Sequence, residues 1–204
     1  MLLKKVFTNP SLYLFVLFFQ LSVAAADVEV SPILGYRTGG TFVDLDSSVT
    51  LTLDETDTQG VIVDIDYGKA QQISLLYSRQ ATDLLTSDPN VTNPLLSMNV
   101  EYIHFGGNKI WVEDKLRTFL GATIGATHFS ATGQNSTTRF SFSLAGGSKY
   151  FLSENIALMV GLRGYATLFN SASSLFCGNS GCLIRVAGQS MLQVEAMAGV
   201  TFRF

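Results

Sequence analysis

Beyond residue 26 this 204-residue sequence lacks any apolar run long enough to cross a membrane as a helix, because charged residues, Gly or Ser interrupt each one. A spanning helix needs about 20 consecutive apolar residues, so a helical membrane protein is excluded. An excess of positive charge is missing too. Thirteen Lys and Arg stand against 16 Asp and Glu, a net charge of -3, which offers no basic footprint for nucleic acid. Proline is scarce, with four residues, as long paired strands require. Two His and two Cys provide no ligand set of the spacing that transition-metal sites use, and no cofactor is expected.

The N-terminus is organised differently from the rest. Lys4 and Lys5 precede an apolar run from Leu12 to Leu21, which gives way to Ala24-Ala25-Ala26. That order is the pattern of a secretory signal peptide with cleavage before Asp27. The expected organisation is therefore a signal segment over 1–26 and one domain over 27–204. In an exported chain, Cys177 and Cys182 read as a disulfide rather than a metal site. So short a loop gains little from closure, so the bond would stiffen a loop tip rather than hold the fold.

What the sequence does have is strict alternation. In the last segment Leu192, Val194, Ala196, Ala198, Val200, Phe202 and Phe204 alternate with Gln193, Glu195, Met197, Gly199, Thr201 and Arg203. The run is longer than the 5 to 6 residues of an average soluble strand, and approaches the roughly 9 to 11 of a tilted membrane strand. The same period of two recurs around Ile156–Leu168, Phe140–Tyr150, Leu120–Ala126, Leu95–Phe105, Ile73–Tyr77, Val61–Tyr67 and Ile33–Phe42. Short links are expected at Gly68-Lys69, Gly106-Gly107-Asn108 and Ser153-Glu154-Asn155. They alternate with long polar stretches near 43–58, 82–94, 130–138 and 170–188. The predicted fold is all-β, an eight-stranded antiparallel up-and-down transmembrane β-barrel.

Sidedness supplies the energetic reason. A Lys or Arg facing lipid at mid-bilayer costs about 2 to 4 kcal/mol, so the charged face should turn inward. Arg37, Asp64, Asp66, Glu101, Arg139, Lys149, Arg163, Glu195 and Arg203 are predicted to line the lumen. An interior of eight strands is wide enough only for side chains to fill. Trp111, Tyr102, Phe105, Tyr150, Phe151, Phe202 and Phe204 are expected as an interfacial aromatic girdle. The register puts both His104 and His128 on the outward face.

With these segments in view, the region from 27 to 204 resembles the small bacterial outer-membrane β-barrels of the outer-membrane-protein X, A and W type. The most specific element of the likeness is Gly199-Val200-Thr201-Phe202-Arg203-Phe204. It is similar to that family's assembly signal, in which Gly199, Phe202 and Phe204 occupy the marked positions and Met197 stands where a polar residue is common. The resemblance implies a bacterial outer-membrane location and insertion by the barrel-assembly machinery. Its partners would be outer-membrane lipid and lipopolysaccharide, and the barrel would be a monomer.

His128 and Ser130 form a His-x-Ser spacing on one strand face, which resembles the lipid A deacylase pattern. The carboxylate that should orient the imidazole is missing, because Phe142 occupies its place. A base without an orienting partner is a weak triad. The acidic stretch Asp44, Asp46, Asp54, Glu55 and Asp57 lacks the ligand order of a calcium loop. Val49 to Leu53 could extend a hairpin above the membrane. The functional expectation is a non-enzymatic barrel with a filled polar lumen and outer loops for surface interaction. The alternatives are a narrow channel for small solutes or apolar molecules and, third, a lipid A-modifying enzyme.

Overall fold

The computed structural model describes residues 27–43, 49–131, 133–169, 173–178, 181–186 and 190–204. The expected signal peptide over 1–26, Asp44, Asp46 and the side chains of Cys177 and Cys182 lie outside that description. All regular elements among the described residues are strands: β1 (Val28–Gly39), β2 (Thr41–Val43), β3 (Thr50–Leu53), β4 (Thr56–Asp66), β5 (Gln71–Thr86) and β6 (Leu96–Glu113). The second half continues with β7 (Leu116–Ala131), β8 (Thr137–Phe151), β9 (Ile156–Leu168), β10 (Ser173–Gly178), β11 (Gly181–Val186) and β12 (Ser190–Arg203).

Eight of these close a ring. Antiparallel ladders join β1 to β4, β4 to β5, and so on in chain order through β9 to β12, and β12 returns to β1 with Arg37 opposite Glu195. Closure leaves no barrel edge unpaired, the condition for a sheet in hydrocarbon. The outside carries the apolar set: Leu34, Leu75, Ile103, Phe105, Leu120, Ile124, Leu144, Val160, Leu162 and Leu192 are each at least half exposed. Water does not tolerate a continuous apolar belt of this kind. The protein is a transmembrane β-barrel.

One segment departs from expectation and a second extends it. Gly106-Gly107-Asn108 is not a turn: β6 runs through it for 18 residues, and the real turn is Asp114-Lys115, with Asp114 at a φ of 50°. A Cβ on Gly106 would lie 2.2 Å from the Ala122 carbonyl oxygen and 2.6 Å from the Thr123 Cα. The glycine therefore marks close approach of β6 and β7 within the sheet, which a composition-based reading takes for a bend.

In the first outer connection the hairpin expected around Val49 to Leu53 is present and is anchored to the barrel wall. β2 and β3 form a short hairpin whose β3 pairs with the far end of β5. Gly39 and Gly40, at φ of 90° and 98°, turn this hairpin off the end of β1. A side chain at Gly40 would meet Leu53 at 2.8 Å, so only glycine lets the hairpin lie that close. β10 and β11 form a separate hairpin in the last connection, with Cys177 opposite Cys182 in the ladder.

Candidate functional site: the barrel interior

Inward-facing residues fall on one phase of each strand. At the end carrying the short turns they form an ion-paired cluster. Lys149 Nζ donates to Glu29 at 2.6 Å and to Asp64 at 2.8 Å, and Arg117 Nη1 donates to Glu29 at 2.5 Å. Asn108 donates to Asp64 at 3.0 Å, and Gln72 to Glu29 and Asp66. Asp66 also lies 3.6 Å from both Arg117 and Arg203, and Arg203 pairs with Asp27 at the mouth. Lys149 further packs over the Phe119 ring and Arg117 over Phe151.

Moving along β4 and β5, the buried pair Ile62 and Leu76 separates this cluster from a second one. There Arg37 donates to Glu195 at 3.2 Å, and its guanidinium lies 4.8 Å from the ring centres of both Tyr102 and Tyr165. Glu195 also accepts from Thr58, Ser78 and the Tyr165 hydroxyl. His104, fully buried, bonds Thr123 and Ser143 through Nδ1 and Ser141 through Nε2. Tyr102 donates to Gln193, which in turn donates to Gln80.

The outer end of the interior is apolar. Phe42 from β2, Leu51 and Leu53 from β3, and Leu84, Met98, Val100, Phe129, Phe169 and Met191 are all buried there. The Phe169 ring centre lies 6.3 Å from that of Phe42 and 6.1 Å from that of Phe129. The β2–β3 hairpin thus supplies the apolar face that closes over this end.

Of the nine residues predicted to line the lumen, Arg37, Asp64, Lys149, Arg163 and Glu195 are buried inside. Asp66, Arg139 and Arg203 sit half-buried on the inward phase near the mouths. Glu101 does not join them: it stands on the outer face, accepting from the Tyr77 hydroxyl at 2.8 Å and lying 3.9 Å from Arg79. The phase of β6 is the reverse of the one expected, so Met98, Val100, Tyr102 and His104 point inward and Ile103 and Phe105 outward. Tyr102 and His104 are therefore interior groups, not girdle or rim residues. Over this stretch the apolar phase is the inner one and the outer phase carries Ser97, Asn99 and Glu101, so the rule that charge turns inward selects the wrong face.

Sequence reasoning missed Glu29 and Arg117. Glu29 precedes the point at which β1 was expected to start, although Val28 and Val30 continue the alternation. Arg117 was hidden by the misplaced turn. Most exposed aromatic groups collect towards the barrel's ends, with Tyr67, Trp111, Tyr150, Phe202 and Phe204 at the turn side and Tyr36, Tyr77 and Phe140 opposite, while Phe105 and Phe142 face outward in mid-strand.

Neither a protein-family model nor a curated protein matches the sequence. Solved structures do. The chain is similar to Neisserial surface protein A, with a TM-score of 0.57 at 13% identity, over 88% of this chain and 97% of that one. It also aligns with the N-terminal β-barrel domain of OprF from Pseudomonas aeruginosa, with a TM-score of 0.49 at 14% identity, over 87% and 97% of the two chains. This chain has the fold of a small outer-membrane barrel. At such identities the likeness speaks for the fold and for nothing finer.

Proposed function

We propose that this protein is a closed, non-enzymatic barrel of a bacterial outer membrane, whose interior holds it together and whose outer loops meet the surroundings. The buried network of Lys149, Glu29, Asp64 and Arg117, stacked beneath the apolar closure at Phe129 and Phe169, carries this reading. A conducting path needs mobile water along the axis, whereas these side chains occupy it and bond one another across it. In planar bilayers the purified protein should show no reproducible unitary current steps. Steps with a defined conductance would overturn the reading in favour of a narrow channel. Lipopolysaccharide and outer-membrane lipid are the expected contacts of the apolar belt, and Gly199, Phe202 and Phe204 of β12 the expected signal to the assembly machinery.

The ladder position of Cys177 opposite Cys182 supports a disulfide at the tip of the last outer connection. Alkylation of the unreduced protein should then add no mass, and alkylation after reduction should add two labels.

One observation favours a second reading. His128 and Ser130 share the outward phase of β7, and Glu101, a carboxylate on the preceding strand, lies directly opposite His128 in the β6–β7 ladder. The His128 Nδ1, however, is bonded to Thr138 Oγ1 at 2.9 Å, and Glu101 bonds Tyr77. A lipid A deacylase built on these groups would change the mass of extracted lipid A on expression, and His128→Ala would abolish the change. An unchanged lipid mass in both cases supports the non-enzymatic reading.

A further inference from the structure

Arg37, Glu195 and Arg163 occupy one row of the inner wall, on β1, β12 and β9. Glu195 is the direct ladder neighbour of each arginine. All three are buried, with no more than 2% of their surface exposed. The row therefore carries two cations and one anion.

Glu195 cannot serve both arginines. An ionised carboxylate offers about four acceptor positions, and here four donors fill them: Arg37 and Tyr165 on Oε2, Thr58 and Ser78 on Oε1. Arg163 turns away to the Ser143 hydroxyl, to which Nη1 donates at 2.9 Å. Its Nε is buried with no acceptor among the described residues, as are Nε and Nη1 of Arg37. The other interior carboxylates, Glu29, Asp64 and Asp66, are engaged by Lys149, Arg117 and Arg203 towards the turn end. Arginine does not shed its proton in a protein, and a buried charge without a counter-charge is among the costliest arrangements a fold can hold.

We propose that the barrel interior binds a small monovalent inorganic anion, of the size of chloride, against the Arg163 guanidinium. The row's one excess positive charge, set apart from the turn-end network in which Lys149, Arg117 and Arg203 meet Glu29, Asp64, Asp66 and Asp27, calls for one negative charge, which favours a halide over sulfate or phosphate. The neighbouring inward positions on β8 are Ser141, Ser143 and Ala145. These are small side chains, two of them bearing hydroxyls that can turn a proton towards an anion. His104 bonds both serines, and in the tautomer that donates from Nε2 to Ser141 it leaves the Ser141 proton free for the anion. The site rests on this charge count and stands whether or not the barrel conducts.

Crystals of the full barrel soaked in bromide should show an anomalous peak in contact with the Arg163 guanidinium, and the absence of a peak there would overturn the proposal. In detergent, the thermal unfolding midpoint should rise saturably as chloride replaces gluconate at constant ionic strength, and sulfate should not reproduce the rise. Arg163→Met should remove this dependence. If the variant folds and the dependence persists, the ion sits elsewhere and the proposal fails. Should Arg163→Met not fold, the bromide peak in the unaltered protein decides alone.

Discussion

At the end of the barrel bearing the short turns, Lys149 lies between Glu29 and Asp64 with contacts of 2.6 and 2.8 Å. At the opposite end, Phe42, Phe129 and Phe169 meet ring to ring beneath the β2–β3 hairpin. The first closure depends on matching charges and the second on matching shapes. An ionic closure tolerates the polar inner face of a membrane barrel but fails sharply when one partner is lost. An apolar closure degrades in proportion to the volume removed.

That contrast can be broken most directly at Lys149. Lys149→Met would leave the buried Asp64 with Asn108 alone and take from Glu29 one of its two cations, and losing one partner of a buried pair costs about 3 to 5 kcal/mol. The urea midpoint of the refolded barrel should fall accordingly. Restoring a cation with Lys149→Arg should recover part of the loss, which a purely volumetric effect would not allow.

At the other end, Phe129→Ala should cost about 3 kcal/mol, the lower range for removing a buried aromatic ring, measured in the same way. Phe129→Leu should recover most of it. Bilayer current should stay at zero in Phe129→Ala, because the ionic cluster still fills the turn end. A current that appears on this change alone would make the apolar closure the gate.

The smallest effect is expected outside the barrel. Arg79 and Glu101 form an exposed pair at 3.9 Å, and exposed pairs contribute at most about 1 kcal/mol. Arg79→Ala and Glu101→Gln should each leave the urea midpoint nearly unmoved. A Glu101→Gln loss as large as that of Lys149→Met would mean that Glu101 faces inward after all.

How much of this was legible beforehand depends on the strand. In β12 one face is wholly apolar and the other carries Gln193, Glu195 and Arg203, so period and charge together choose the inward side. In β6 they do not. Met98, Val100 and Tyr102 alternate with Asn99, Glu101 and Ile103, and the sensible assumption that charge turns inward points the wrong way. The assumption fails because the outer end of the interior is itself apolar, a property of nine residues drawn from several strands and the β2–β3 hairpin. Glycine misled in a similar manner at Gly106, where close strand approach and a turn ask for the same residue.

The sequence by itself determined the all-β architecture, the apolar set that meets lipid and the alternation that separates two faces. These are local properties, set by a period of two along each strand. Only the tertiary structure decided which face of β6 turns inward, that Lys149 meets both Glu29 and Asp64, and that Glu195 is saturated before Arg163 can reach it. Those outcomes depend on distances across the barrel between residues as far apart in the chain as Glu29 and Lys149, and no local pattern encodes such a distance.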